Sequence, residues 1–197
     1  MKKIFVITCN PSKESKRTPY INAYIEEVEK NGNEVRILNI YDLEIDYLNG
    51  LDDKSLYLDI EKTTSLSAEL KEAQDNIVWA DQIVLSYPVW WLGLPSKLKS
   101  FFERVLQVGI VFNYGKSGLV KILKNKTVVV IQSYNMPYFI MKYMYQDIPF
   151  KYLKIILSDW CGFKIEKRFD FDDIENISES KKQKWLKEIK KFASKVK

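Results

Sequence analysis

Two adjacent tryptophans, Trp90 and Trp91, stand where an apolar segment changes into a helical one. Residues 81–86 have the composition of a buried strand, and residues 98–105 have helical spacing. In an open α/β sheet, the loop between such elements lies outside the carboxyl end of the strand, where ligands bind. Two neighbouring indoles cannot both enter one core from a regular element. At least one should face a ligand, a partner or solvent, unless both pack at the protein's rim.

A second polar loop lies near the amino terminus. Residues 10–18, with the sequence Asn-Pro-Ser-Lys-Glu-Ser-Lys-Arg-Thr, combine hydroxyl and cationic side chains and lead into a predicted helix. Thr18 is the predicted N-cap, and Pro19 the first helical residue. Free backbone amides, hydroxyls and cations at a helix start suit a phosphate, although many polar turns bind nothing. The turn holds no glycine, which excludes the glycine-rich phosphate loops.

The chain contains no histidine. This removes the usual general base, the usual metal ligand and any Ser-His-Asp triad. Its two cysteines, Cys9 and Cys161, form no Cys-x-x-Cys pair, so we expect neither a zinc site nor any other metal centre. Lysine or carboxylate chemistry remains open. If the protein is an enzyme, we expect a bound cofactor to carry the difficult chemistry.

The composition is that of an ordinary globular protein. The 197 residues are 46% hydrophobic and 29% charged, which fits one domain spanning residues 1–197. We predict no membrane span, because no apolar run approaches 18 residues. The net charge of +5 comes without an arginine cluster, so we expect no nucleic-acid partner. Residues 1–9 are interpreted as a first strand rather than a signal peptide, and two reduced thiols suggest the cytoplasm.

Strand and helix patterns alternate along the whole chain. We predict strands at 4–9, 34–39, 82–87, 126–133 and 163–169, and helices at 18–31, 67–80, 95–106, 139–160 (broken near Pro149) and 178–195. This alternation predicts an α/β fold with a five-stranded parallel sheet and helices on both faces. Residues 42–65 lack clear periodicity and are interpreted as a surface excursion.

The polar turn and the tryptophan loop together indicate one class of ligand. In the doubly wound strand order 2-1-3-4-5, strands one and three are neighbours, and ligands bind at the switch point between them. The polar turn follows strand one, and the Trp90–Trp91 loop follows strand three. A phosphate could therefore lie on the first loop while a flat aromatic ring lies against the second. Flavin mononucleotide, or the corresponding half of FAD, has both parts.

One long motif identifies a resemblance. The segment 87–99, Tyr-Pro-Val-Trp-Trp-Leu-Gly-Leu-Pro-Ser-Lys-Leu-Lys, together with Phe-Glu-Arg-Val at 102–105, resembles the flavodoxin-like NAD(P)H dehydrogenase (quinone) family, whose relatives include the FMN azoreductases. The resemblance implies a flavodoxin-like three-layer sandwich that binds FMN or FAD and is commonly a homodimer. It also implies ping-pong hydride transfer from NADH or NADPH to a quinone or another flat aromatic acceptor.

The resemblance assigns roles to three groups of residues. The flavin ring would contact the loop at Pro88, Val89, Trp90, Trp91 and Leu92; the phosphate end would lie at Asn10, Ser15, Lys16, Arg17 and Thr18; the other ring edge would meet Ser133, Tyr134 and Asn135. Asn10 stands where the family often has histidine, and Tyr134 falls in a loop that often carries glycine. The Tyr/His pair of some relatives cannot exist here, which leaves Tyr138 as the candidate catalytic hydroxyl.

Two other functions remain open from the sequence. A flavin-binding electron carrier would perform no substantial turnover of its own; such carriers are usually acidic, whereas this chain has a net charge of +5. A regulatory or sensor subunit is the second alternative, as some relatives serve potassium efflux systems. The sequence does not decide between FMN and FAD, between NADH and NADPH, or among acceptors.

Overall fold

The structure is a computed structural model that describes residues 1–12, 14–45, 66–116 and 118–197. Its main sheet has five parallel strands in the order β2-β1-β3-β6-β7. The strands are β1 (Lys3–Thr8), β2 (Glu34–Asn39), β3 (Gln82–Pro88), β6 (Thr127–Tyr134) and β7 (Lys164–Asp172), while β4 (Phe112–Gly115) and β5 (Gly118–Lys121) pair as a separate antiparallel hairpin. The predicted order is confirmed, because β6 and β7 are the fourth and fifth strands of this sheet.

Helices cover both faces of the sheet. They are α1 (Thr18–Lys30), α2 (Ala68–Trp79), α3 (Ser96–Val105), α4 (Ile148–Lys154) and α5 (Glu179–Ala193). Successive side chains of a strand point to opposite faces, and β1 shows this directly. Val6 packs with residues of α1 and α5, whereas Phe5 packs with residues of α2, α3 and α4. The result is the predicted three-layer sandwich.

The central strands are buried on both faces, which explains their sequences. Residues 4–7 of β1 and residues 128–131 of β6 are uninterrupted apolar runs with at most 1% exposure. A parallel sheet covered by helices requires such continuous runs instead of alternation. The pairing registers then bring the carboxyl ends of β1, β3 and β6 to the same edge of the sheet.

The start of α1 differs from the prediction. Arg17, not Thr18, occupies the N-cap position, and its side chain makes no capping hydrogen bond. Thr18 N donates to Ser15 O over 2.9 Å, and this turn draws Thr18 into the helix. The serine caps of α2 and α5 behave conventionally: Ser67 Oγ accepts from Leu70 N, and a serine likewise caps α5.

The segment after β6 is less regular than its sequence suggests. π-Helical turns at Ile140–Met144 and Ile155–Trp160 flank α4. The predicted break near Pro149 lies at Gln146 and Asp147, whose φ values of 50° and 57° are left-handed. Pro149 itself sits in the first turn of α4, where proline is tolerated. Of the predicted excursion at 42–65, residues 46–65 lie outside the described residues.

A hydrogen-bonded network connects the ends of β3, β6 and β7 to the start of α4. Tyr87 donates its hydroxyl hydrogen to Gln132 Oε1 over 2.7 Å, and Gln132 Nε2 donates to Asp170 Oδ1 over 2.7 Å. Arg168 Nη2 donates to Asp170 Oδ1 over 2.7 Å and to Asp147 Oδ1 over 2.8 Å. Burial raises the pKa of Tyr87, which keeps this hydroxyl protonated as a donor. The network fixes α4 to the carboxyl edge of the sheet.

Three further expectations concern the residues that the structure describes. None of their helices is long and apolar enough to span a membrane. No cluster of three or more carboxylate or thiol side chains among them could hold a metal ion. Cys9 and Cys161 are free and buried, and burial raises the pKa of each thiol to about 12. Both thiols are therefore protonated and poorly reactive at neutral pH.

Candidate functional site

A cleft of about 340 Å³ opens at the carboxyl edge of the sheet. The loops that follow β1, β3 and β6 form it, together with the segment after β7. Its lining residues are Pro11, Ser12, Glu14, Ser15, Lys16, Arg17, Pro88, Val89, Trp90, Ser133, Tyr134, Asn135, Ile174 and Glu175. The cleft lies at the switch point of the sheet, and its size is within the range of small-molecule sites.

The cleft gathers most of the predicted site residues and leaves others outside. The predicted residues in its lining are Ser15, Lys16, Arg17, Pro88, Val89, Trp90, Ser133, Tyr134 and Asn135; those outside it are Asn10, Thr18, Trp91, Leu92 and Tyr138. Asn10 instead belongs to the scaffold behind the cleft. Its backbone N–H donates to Asn39 Oδ1, and its carbonyl accepts from Asn39 Nδ2, both over 3.1 Å.

The turn after β1 directs a helix start towards the cleft. Ser15 and Lys16 line the cleft immediately before α1, a helix of 13 residues. The helix dipole favours an anion at such a position, while the backbone N–H groups of Arg17, Thr18 and Tyr20 already donate within the turn. Lys16 forms an exposed ion pair with Glu175 from the segment after β7. Because exposed pairs of this kind are weak, an entering anion can compete with Glu175 for the lysine.

Arg17 turns inward instead of projecting into solvent. Its side chain is 6% exposed, and its guanidinium donates to Ser133 Oγ over 3.0 Å, to Cys9 O over 3.0 Å and to Asn10 Oδ1 over 2.6 Å. Because β3 lies between β1 and β6, the guanidinium crosses the carboxyl end of the central strand. Burial lowers the pKa of Arg17 to about 10, so the group is still charged at neutral pH. Arg17 thus joins the segment after β1 to the end of β6.

The tryptophan loop is a tight turn closed at both ends. Trp90 N donates to Gly93 O over 3.1 Å, and Gly93 N donates to Trp90 O over 2.9 Å. The two residues between them, Trp91 and Leu92, have left-handed φ values of 50° and 56°. Their backbone N–H groups donate no hydrogen bond within the described part of the chain, whereas Val89 N donates to Ser133 O over 2.7 Å. The turn therefore offers two free backbone donors beside the cleft.

Glycine at position 91 should relieve the strain of this turn. Trp91 is fully exposed and buries no contact, so only its backbone conformation affects folding. We expect Trp91→Gly to be more stable than Trp91→Ala by about 1 kcal/mol, because a left-handed φ costs alanine but not glycine. Urea denaturation of the flavin-free proteins measures the difference. At exposed Lys187 in α5, the same pair of substitutions should show the opposite order. Equal stabilities of Trp91→Gly and Trp91→Ala would show that the left-handed conformation at position 91 is not strained.

Two tyrosines differ in their relation to the cleft. Tyr134 lines it and is 4% exposed, and its hydroxyl donates to Asp170 Oδ1 over 3.3 Å. Burial and the nearby Asp170 carboxylate raise the pKa of Tyr134, so this phenol stays protonated. Tyr138 is 40% exposed and lies outside the lining, with its backbone N–H donating to Asp172 Oδ2 over 3.2 Å.

These features together fit flavin mononucleotide. The helix start at Ser15 suits the phosphate, and the free N–H groups of Trp91 and Leu92 suit polar atoms of a ring. Val89 and Trp90 provide apolar surface for its flat face. Arg17 Nε is buried without a hydrogen-bond partner among the described residues, which marks the cleft floor as a region of unsatisfied positive charge.

A family model described as a flavodoxin-like fold matches residues 2–195 of this sequence. The chain belongs to this flavodoxin-like family. An FMN-dependent NADH:quinone oxidoreductase of Clostridium perfringens is 30% identical over 198 residues, covering 98% of each chain. A protein of the same name from Clostridium beijerinckii is 30% identical over 92% of this chain and 87% of its own length. The crystal structure of an FMN-dependent NADH-azoreductase from Bacillus anthracis in complex with FMN has a TM-score of 0.81 at 21% identity, covering 98% of each chain.

Membership of the flavodoxin-like family confirms the resemblance carried by residues 87–99. Motif reasoning nevertheless missed several lining residues, which are Pro11, Ser12, Glu14, Ile174 and Glu175. The first three belong to the polar turn that had already been singled out. Ile174 and Glu175 follow β7, so they could have been found from the rule that parallel strands end at one edge.

Proposed function

We propose that this flavodoxin-like protein is an FMN-dependent NADH:quinone oxidoreductase. The observation that carries the proposal is the cleft at the switch point, which brings the polar turn before α1, the start of the Trp90 loop and the end of β6 around one space. The names of the two clostridial relatives support FMN over FAD and NADH over NADPH. They also support a quinone as the acceptor, with other flat aromatic molecules as further substrates.

The chain's part in the reaction is to bind and orient. Bound FMN would supply the redox chemistry by accepting a hydride from NADH and passing it to the acceptor. Ser15, Lys16 and the Thr18 hydroxyl, at the positive end of the α1 dipole, would hold the phosphate. The N–H groups of Trp91 and Leu92 would bond to the ring, while Ser133 and Asn135 border its other edge. Fixing two flat reactants in turn against one ring is the catalytic contribution that we propose for the chain.

Reduction of a quinone also requires a proton. Tyr134 holds its proton at the hydroxyl oxygen, where it donates to Asp170. Because the pKa of Tyr134 is raised, we propose that this phenol orients ligands and does not release its proton. Tyr138 remains our candidate donor, since its exposed position allows solvent to replace a lost proton.

The proposal extends to assembly and location. We propose that residues 1–197 form one flavin-binding unit, which pairs as a homodimer in the cytoplasm. Exposed apolar side chains in the segments that follow β3 and β6 support pairing, because exposed apolar surface often marks interaction sites. They include Trp91, Phe139, Tyr143, Met144 and Ile148. The two free, buried thiols are consistent with a reducing compartment.

The first experiment is to purify the protein and record its visible spectrum. We expect flavin absorbance, release of FMN on denaturation, and rapid NADH oxidation that depends on added quinone. Flavin binding without turnover would instead favour the electron carrier or the sensor. A colourless protein that binds neither FMN nor FAD would overturn the proposed function. Light scattering on the same sample tests the dimer, which a mass of 23.3 kDa would contradict.

A further inference from the structure

The guanidinium of Arg17 is a buried positive charge with no anionic partner among the described residues. Its hydrogen-bond acceptors are a carbonyl, an amide oxygen and a hydroxyl, all of them neutral. Its Nε makes no hydrogen bond there. Burying a charge without a counter-charge is costly for folding. The buried charge of Arg17 therefore indicates that a bound ligand supplies the missing anion.

Two other cations near this edge have carboxylate partners among the described residues. Arg168 forms ion pairs with Asp147 and Asp170. Lys16 pairs with Glu175 at the surface, where solvent screens both charges. Within the described ranges, Arg17 is thus the cation of the cleft lining that is buried and lacks a carboxylate partner.

The position of the guanidinium indicates which part of a flavin it would serve. One of its nitrogens bonds to Ser133, the residue whose carbonyl accepts from Val89 N. Both residues lie on the ring side of the proposed site. The phosphate side begins at Ser15, in the turn before α1. The other two hydrogen bonds of the guanidinium go to Cys9 O and Asn10 Oδ1 in the segment after β1, so the charge lies under the cleft floor between the phosphate turn and the ring side.

We propose that Arg17 is the counter-charge of the reduced flavin ring and raises the reduction potential of bound FMN. The inference rests on the proposed function. Hydride transfer converts NADH and oxidised flavin into NAD⁺ and a reduced flavin anion; a C–H bond of NADH breaks and an N–H bond of the flavin forms. The quinone would then take the hydride and a proton from Tyr138, which solvent replaces, to give hydroquinone and oxidised flavin. Only the reduced state adds a negative charge to the ring.

The chain has no histidine, so no imidazolium can supply this charge. Charges close to the flavin ring are among the groups by which a protein tunes its electronics. In a water-excluded site, a fixed charge acts more strongly than it does in solvent. Arg17 is held by three hydrogen bonds, two from the segment after β1 and one from Ser133 in β6, so its charge is in place before reduction occurs.

The test is the midpoint potential of bound FMN, measured by spectroelectrochemical titration. Arg17→Met removes the charge while keeping a long apolar side chain. We expect the affinity of this variant for reduced FMN to fall about tenfold to hundredfold more than its affinity for oxidised FMN. This difference lowers the two-electron midpoint potential by about 30–60 mV. Arg17→Gln should lower it similarly and replaces Arg17→Met if that variant does not fold. Arg17→Lys keeps the charge and should recover most of the potential.

The matched control is Lys30→Met, which removes an exposed charge from the last turn of the same helix and should leave the potential unchanged. If Arg17→Met and Arg17→Gln lose the same factor of affinity for oxidised and for reduced FMN, the midpoint potential will not change. Arg17 would then be a structural brace, and the inference would be overturned while the proposed function stands. A wild-type protein that binds no flavin would overturn both.

Discussion

Replacing Ser15 by aspartate is expected to weaken FMN binding by more than about 100-fold, since placing like charges together costs several kcal/mol. Ser15 lies in the cleft lining immediately before α1, where we place the phosphate. A carboxylate there would occupy the anion position itself and repel the dianionic phosphate. Titration with FMN, followed by quenching of flavin fluorescence, gives the dissociation constant of each variant.

Two controls make the Ser15 result specific. Ser178→Asp adds the same charge at the N-cap of α5, where aspartate caps as well as serine, and it should leave FMN binding unchanged. Riboflavin, which lacks the phosphate, should lose far less affinity than FMN in Ser15→Asp. If both ligands weaken equally, the phosphate does not lie at Ser15.

Replacing Arg168 by methionine is expected to destabilise the flavin-free protein by about 3–5 kcal/mol, the usual cost of removing one partner from a buried ion pair. The substitution leaves the carboxylates of Asp147 and Asp170 largely buried without their cation. Methionine can still pack on Phe150, whose ring centre lies 4.1 Å from the guanidinium carbon. The lost charge should therefore dominate the result, which urea denaturation measures.

The comparison for Arg168 is an exposed pair in α2. Lys71→Met breaks the surface ion pair with Asp75 and should cost less than about 1 kcal/mol. Adding Asp147→Asn and Asp170→Asn to Arg168→Met should restore part of the lost stability, because the triple variant leaves no unpaired carboxylate. A loss at Arg168 no larger than that at Lys71 would show that the network contributes little.

The central sheet could be predicted from the sequence because its physical requirements are strict. A strand buried on both faces must be apolar throughout, and residues 4–7 and 128–131 meet that requirement unmistakably. The loops at Ser15 and Trp90 were found for a related reason: a polar turn and two adjacent indoles directly after such strands have few structural explanations.

Other features depend on partners far away in the chain. The sequence around Arg17 does not show that its side chain reaches β6, because one of its three acceptors is Ser133, 116 residues away. The pairing of Lys16 with Glu175 likewise depends on two loops meeting. The β4–β5 hairpin escaped prediction because each strand has only four residues and β5 is largely exposed, so neither has a clear burial pattern.

The hydrogen bond between Arg17 and Ser133 joins residues that are 116 positions apart in the chain, and it spans the end of β3. The cleft floor can therefore exist only after β1, β3 and β6 have paired, so a nascent or truncated chain lacks the site. Under the proposed function, FMN would then report completed folding, and at 100 times its dissociation constant it would add about 2.7 kcal/mol to the native state. In a cell short of flavin, the folded protein would lose this protection and become an easier substrate for proteases.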